Sequence, residues 1–275
     1  MNGRYDLHAH TTASDGTFTP RELVEHARRR GLAGVGITDH DSTDGIAEAI
    51  ETGKRLHVDV VPGVEINAEY EGKEVHVLGY YFDLDSGSLQ DLFRKLRNER
   101  INRMERILQK LDELGIPIER DEVLAEAGGG AVGRPHIARV LMKKGVVQDI
   151  RGAFDHYLGK GAPAYVERCK LSPQEAIRAI RDAGGVPVLA HPGLVGKDAL
   201  IEELIPAGLL GIEASHPDHP TDVRQRYTKL ANELGLIATG GSDFHGAGAE
   251  HRGELGTVTV NRSVVQQLRE KSGVF

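Results

Sequence analysis

Short apolar runs alternate with capped, amphipathic segments along most of the chain, and no other feature of the sequence restricts its possible folds so tightly. Residues 5–10 read as an extended strand. Thr19-Pro20-Arg21-Glu22 then supplies an N-cap, a proline at the first helical position and a capping-box glutamate. Leu23, Val24 and Ala27 follow at helical spacing, Gly31 closes that helix, and residues 32–38 form an apolar run of the buried-strand type. A helix over 46–56, a strand over 58–64, a hairpin-like turn at Glu71-Gly72-Lys73 and a strand over 74–82 come next. Past residue 170 the alternation resumes, with a second capping box at Ser172-Pro173-Gln174-Glu175 and a helix ending near Gly184-Gly185. A strand over 186–190, an amphipathic segment over 197–207, a strand over 209–214, a helix over 222–234, and strands over 236–239 and near 257–260 complete the pattern. Alternation of this kind predicts an α/β fold with a parallel sheet whose strands point their carboxyl ends at the ligand.

Residues 88–165 interrupt the alternation with helical character and no clear strands. The expected organisation is therefore a barrel in two parts, 1–87 and 166–275, with 88–165 as a helical insert over its mouth. Within the insert Leu89, Leu92, Phe93, Leu96, Ile107, Leu111 and Leu114 share one helical face, and Arg100 and Arg103 project from that same face. Their stems either snorkel to solvent or their charges meet an anion. The insert carries 14 Lys and Arg against 11 Asp and Glu, a net of +3, so a total of −7 leaves −10 on the rest. A mildly basic insert on an acidic, histidine-rich body argues against a surface that coats nucleic acid.

The single cysteine, Cys169, excludes an internal disulfide, and its basic neighbours Arg168 and Lys170 do not by themselves make a reactive thiol. No apolar h-region opens the chain and no apolar stretch approaches membrane-spanning length, so a cytoplasmic location is expected. The glycine-rich run 128–133 lacks the ending of a P-loop and reads as a flexible connecting loop.

Chemistry is concentrated at strand ends. His8-Ala9-His10 places two imidazoles on one side of an extended strand, because alternate side chains share a face. Asp15, His40, Glu65, His191, Asp243 and His245 follow other strands, and His76 falls inside one. So many titratable groups beside apolar strands require charge compensation. Imidazole and carboxylate ligands without thiolate point to Mn²⁺, Fe²⁺ or Zn²⁺, and nine ligands suit two or three bridged ions. Such a cluster suits phosphoester hydrolysis. His26, His57 and His156 read as packing or surface residues, whereas His216 and His219 lie where they could face the mouth.

The set HxH, SDG, TDH, PGVE, a strand histidine, HP and GSDFH resembles the PHP superfamily of polymerase and histidinol phosphatase domains. Arg100, Asn102 and Arg103, the run from Gly133 to Arg139, and Tyr157-Leu158-Gly159-Lys160-Gly161 extend the resemblance to nucleoside 3′,5′-bisphosphate phosphatases and 5′-to-3′ exoribonucleases of the RNase AM type. The resemblance implies a distorted (β/α)7 barrel and a trinuclear site, with Mn²⁺ preferred among the possible ions. It places one ion on His8, His10, Glu65 and Asp243, a second on Asp15, His40 and His245, and a third on Glu65, His76 and His191. Asp15, His40, His191 and Asp243 are the implied catalytic residues, water activated by the ions being the nucleophile. His191, His216 or a bound water protonates the leaving group. Arg100, Asn102, Arg103, Arg134, His136 and Lys160 are the implied phosphate clamp.

The expected substrate is a nucleoside 3′,5′-bisphosphate, cleaved at its 3′-phosphate, with short 5′-phosphorylated RNA as the alternative. A small-metabolite phosphatase of histidinol-phosphatase type and a non-catalytic metal-bound scaffold are the other rivals. Aromatic residues are only 5% of the chain, which speaks against a DNA-binding or single-strand-stacking module, and neither a membrane nor a particular protein partner is indicated.

Overall fold

A computed structural model describes residues 3–167, 171–246 and 253–274; Cys169 with its basic neighbours Arg168 and Lys170 lies outside them. In chain order the elements are β1 (Arg4–Asp6), α1 (Pro20–Arg29), β2 (Gly34–Ile37), α2 (Ile46–Leu56), β3 (Asp59–Tyr70) and β4 (Lys73–Tyr80). The insert contributes α3 (Gly87–Glu113), α4 (Arg120–Ala127), α5 (Arg134–Lys143), α6 (Ile150–Ala153) and a π-turn at Phe154–Leu158. Then come α7 (Pro173–Asp182), β5 (Val186–Leu189), α8 (Pro192–Val195), α9 (Ala199–Leu204), β6 (Gly211–Ser215), α10 (Thr221–Glu233), β7 (Ile237–Gly240), β8 (Val260–Asn261) and α11 (Arg262–Lys271). Both sequence-predicted capping boxes form. Thr19 accepts from the Glu22 amide and Ser172 from the Glu175 amide, each glutamate reaching back to the cap.

The strands form one sheet in the order β7-β6-β5-β4-β3-β2-β1-β8. It is not uniformly parallel, as the alternation suggested: β4 runs against both β3 and β5. The cause is local. Glu71 and Gly72 take positive φ values of 48° and 73°, the geometry of a two-residue hairpin, and such a turn can join only antiparallel strands. β8 also pairs antiparallel to β1, later than the strand expected near 257–260, and α11 after it was not foreseen.

The barrel closes where β1 continues past its sheet partners. Leu7 donates its amide to the Gly240 carbonyl (3.3 Å), His10 to that of Phe244 (2.8 Å), and Phe244 returns a bond to His8 (3.3 Å). Tyr5, Leu7, Val61, Leu78, Tyr80 and Val188 are buried in the cluster that includes the strand interiors, and a larger cluster packs helices on the outer face.

α3 joins two cores. Leu89, Phe93 and Leu96 belong to the barrel's outer cluster, whereas Met104, Ile107, Leu108 and Leu111 belong to a separate cluster with α4, α5 and Ala164. Leu114, expected on the buried face, is 46% exposed because the helix ends there. The glycine-rich run is not free: Ala131 donates its amide to Ala13 (3.0 Å), and a Cβ on Gly130 would sit 2.3 Å from the Thr12 carbonyl. That close approach presses the insert onto the loop carrying Asp15. Among the described residues, no helix is long and apolar enough to cross a membrane.

Two outcomes follow. Gly130→Ala forces backbone apart at this seam and should destabilise the chain by about 1–3 kcal/mol, read as a drop in Tm, whereas Gly87→Ala, with nothing within 4 Å, should not. An unchanged Gly130→Ala melting curve would show that the seam is loose. Burial also holds His136 down at a pKa of about 4. Below pH 6.5 the unfolded chain takes up a proton that the folded chain refuses. Stability on the order of 3 kcal/mol should therefore disappear between pH 6.5 and 4. Urea midpoints of the metal-free His136→Gln variant should fall less over that range than those of the parent; equal slopes would refute the assignment.

Candidate metal centre

Each candidate ligand is placed by a strand end and held by backbone or a neighbouring carboxylate. His8 and His10 lie on one side of the β1 extension with Ala9 on the other, all three buried. A Cβ on Gly241 would come within 2.4 Å of His8, so the β7 extension closes against that histidine only through a glycine. Asp39 after β2 fixes the next loop: its Oδ1 accepts from the Thr11 amide (2.7 Å) and Ser14 hydroxyl (2.6 Å), and its Oδ2 from the Thr11 hydroxyl (2.7 Å). Asp15 is thereby turned inward. Glu65, expected just past a strand end, lies in the middle of β3, and His76 of β4 stands opposite Asn67 on the same face. His191 (φ 26°) and Asp243 (φ 51°) occupy positive-φ conformations that non-glycine residues seldom adopt, which is how strain collects at functional sites.

These side chains converge. His8, His10, Glu65 and Asp243 form one group whose ligand atoms all lie within 4.8 Å of one another; His10, Asp15, His40 and His245 form a second, and His40, Glu65 and His76 a third. The first matches the expected set. The second adds His10, and in the third His40 stands where His191 was expected. His191 remains adjacent, its Nε2 3.3 Å from Glu65 Oε1 and its ring 5.1 Å from that of His76.

Electrostatics test whether these residues suit cations. Burial alone would raise the Glu65 and Asp15 carboxyls, but the surrounding imidazoles outweigh it and hold both well below the usual range. Burial would likewise lower His10 and His76, yet Asp243 and Glu65 bring His10 up to about 9, and Glu65 and Glu74 bring His76 up to about 9. His40 goes the other way: burial holds it well below its ordinary value despite Glu65 and Asp15. Protons on imidazoles thus carry the positive charge that the carboxylates demand. His8 Nε2, His10 Nε2 and Asp15 Oδ1 are nevertheless buried without a hydrogen bond, although oppositely charged partners stand 3.4, 3.2 and 3.1 Å away. Orphaned donor atoms in imidazole and carboxylate groups, all turned inward, fit divalent ions.

Further residues support this set. Glu213, in the middle of β6, accepts from His8 Nδ1 (3.0 Å) and from the His191 amide (2.9 Å), fixing two candidate ligands at once. Asp6, pushed up to about 6 by burial, accepts from the Ser242 (2.9 Å) and Gly256 (2.7 Å) amides below the site. The sequence near Glu213 and Asp39 offers no sign of their partners, which lie far along the chain. His219 is structural, bonded to the Ala214 carbonyl and the Gly193 amide. His26 is a packing residue, its ring against Phe18 and Phe244.

Of the six clamp residues, Arg103, Arg134 and Lys160 line a cavity of about 620 Å³ that His76, His191 and Asp243 also line. Arg100 borders a smaller adjoining cavity with Asp15 and His40, but its guanidinium is committed to Asp41 (2.6 and 2.8 Å). Asn102 does not join them; it is exposed on another face of α3. Nor does His136 line either cavity. Its Nδ1 accepts from the Gly133 amide (2.9 Å) and caps α5.

Comparison with known proteins accords with this geometry. The model of the PHP domain matches residues 6–167. A 5′-3′ exoribonuclease of Haemophilus influenzae is 36% identical over 250 residues, covering 89% of this chain and 91% of that protein. A 3′,5′-nucleoside bisphosphate phosphatase of Chromobacterium violaceum is 35% identical over 250 residues (88% and 87%), and a phosphoribosyl 1,2-cyclic phosphate 1,2-diphosphodiesterase of Eggerthella lenta 33% over 245 (88% and 94%). A solved structure from Bifidobacterium adolescentis, described as a metal-dependent phosphoesterase, superposes with a TM-score of 0.91 at 35% identity, covering 98% of this chain and 96% of that one. The chain belongs to the PHP domain family and is a metal-dependent phosphoesterase.

Proposed function

We propose that the chain hydrolyses the 3′-phosphate of a nucleoside 3′,5′-bisphosphate, leaving a 5′-monophosphate. One observation carries this reading: His76, His191 and Asp243 of the ligand cluster and three cations of the insert, Arg103, Arg134 and Lys160, line the same cavity. A substrate with two phosphates uses both ends of it. Tyr165 and the 58%-exposed Leu194 on the cavity wall offer apolar surface to a base, which a small phosphate ester would leave unused.

The ligand set proposed is His8, His10, Asp15, His40, Glu65, His76, His191, Asp243 and His245, with Mn²⁺ preferred over Fe²⁺ or Zn²⁺. Bound there, divalent ions would polarise the phosphoryl oxygens and lower the pKa of the attacking water. The chain's own residues do the rest. Glu213 holds His8 and the His191 backbone, Asp39 holds the Asp15 loop, and Glu65 ties together groups from β1, β2, β4 and β5. Arg134, kept over the Phe154 ring and beside Glu74, presents a guanidinium to the distal phosphate, and Lys160 adds a second charge from the cavity edge. Asp15, His40, His191 and Asp243 surround the reacting phosphate in this reading.

A second reading, 5′-to-3′ exoribonuclease action on short 5′-phosphorylated RNA, is favoured by the 36%-identical relative of that name and would use the same clamp. Phosphate release should separate the two. Mn²⁺-loaded protein should release phosphate from adenosine 3′,5′-bisphosphate but little from AMP, and a chelator should abolish the release. Arg134→Ala should lower kcat/KM roughly 10- to 100-fold through a charge-assisted contact. Cleavage of the oligonucleotide without turnover of the bisphosphate would favour the exoribonuclease; an unaffected Arg134→Ala variant would remove Arg134 from the clamp.

A further inference from the structure

The geometry points to His216 as a positioning residue that fixes the Asp243 carboxylate, an inference that rests on Asp243 belonging to the proposed ligand set. His216 follows β6, is only 1% exposed and does not line the cavity. The Asp218 amide donates to its Nδ1 (3.2 Å), and a nitrogen that accepts carries no proton. The ring proton therefore sits on Nε2. That atom is buried without a hydrogen-bond partner, and it stands 3.6 Å from Asp243 Oδ2.

The two oxygens of Asp243 are divided between two environments. Oδ1 faces the ligand cluster, 3.3 Å from both His8 Nε2 and His10 Nε2 and 3.5 Å from His245 Nδ1, while Oδ2 faces His216. Asp243 also sits at φ 51°, a conformation that needs outside support. His216 is well placed to give it. Its ring packs against His191 (5.3 Å) and His219 (5.5 Å), and His219 is itself pinned by the Ala214 carbonyl and Gly193 amide. The imidazole has little freedom to turn, so a small rotation of the carboxylate closes the bond. Leaving a buried N–H without an acceptor would be costly. Once closed, the bond holds Oδ2 outward and presents Oδ1 to an ion, as outer carboxylate and imidazole partners do at metal sites.

The test uses the full chain, loaded with Mn²⁺ and titrated with a competing chelator, in the parent and in His216→Ala, His216→Asn and His216→Gln. A glutamine side chain can set its amide N–H₂ near Nε2, whereas asparagine reaches only as far as Nδ1. His216→Ala and His216→Asn should surrender Mn²⁺ at roughly 10- to 100-fold lower chelator concentration, with His216→Gln close to the parent. Nitrogen-15 NMR of the parent should show the Nε2–H tautomer. Retention of Mn²⁺ by His216→Ala at the parent's level, equal behaviour of the Gln and Asn variants, or an Nδ1–H tautomer would each overturn the proposal. Should the alanine variant fail to fold, the Gln and Asn pair decides. A parent that bound no Mn²⁺ would overturn the ligand set and this proposal with it, whereas Mn²⁺ binding without bisphosphate turnover would count against the substrate reading alone.

Discussion

Five imidazoles converge on one buried carboxylate. Glu65 Oε2 lies 3.4 Å from His8, 3.2 Å from His10 and 3.0 Å from His40, and its Oε1 lies 2.7 Å from His76 and 3.3 Å from His191. A carboxylate that is 1% exposed is tolerated only with close compensation, and these partners come from β1, β2, β4 and β5. The barrel must bring those segments together for Glu65 to be buried at all. This requirement explains why β3 runs on to Tyr70: Glu65 is fixed within a paired strand, with Leu78 directly opposite, and not on a loop free to move away. The antiparallel β4 then returns His76 to the same face.

Coupling between barrel and insert is carried by α3. Its first half is buried with the barrel's outer cluster and its second half with the insert's own, so neither core can shift without moving the shared helix. Between the two lie the arginines. Arg103 donates to the Val166 carbonyl (2.8 Å) where the chain leaves the insert, and Arg100 crosses to Asp41 in the barrel. The interruption of an apolar stripe by two arginines thus marks the passage of one helix from one core to another, and each guanidinium bonds the segment beside that passage.

Much of this was legible in the sequence because it depends on local rules. Thr19-x-x-Glu22 and Ser172-x-x-Glu175 specify helix starts through their own side chains, and the i, i+2 spacing of His8 and His10 specifies a shared face. What stayed hidden depends on partners far along the chain. Nothing near Glu213 shows that it will meet His8, 205 positions away; His136 is the exception, because its Nδ1 takes the amide of Gly133, three positions away, by the same local capping rule. Asn102 illustrates the reverse case. It shares a motif with Arg100 and Arg103, yet helical rotation between neighbours carries it to an exposed face. The parallel sheet was overextended for a similar reason, since period and length identify strands but only the turn at Glu71-Gly72 sets their direction.

Prior commitments decide which cations remain for an anionic ligand. Arg100 is bound to Asp41, which also accepts from the Asn67 amide (3.2 Å) and side chain (3.1 Å), and the Asn67 side-chain nitrogen lies 3.2 Å from His40 Nδ1. Its charge thus supports the surroundings of His40 and is largely neutralised before any ligand arrives. Arg134 differs. Its carboxylate partner is Glu74, a 40%-exposed side chain at 3.2 Å, and pairs this open to solvent are weak. Glu74 has a second partner, because its other oxygen takes His76 Nε2 at 2.8 Å. A phosphate dianion reaching Arg134 offers more charge and a bidentate geometry, so it can displace one oxygen of Glu74 while the other stays on His76. Of these two arginines, Arg134 is therefore the more available to an anion, and its resting partner is also tied to the ligand cluster.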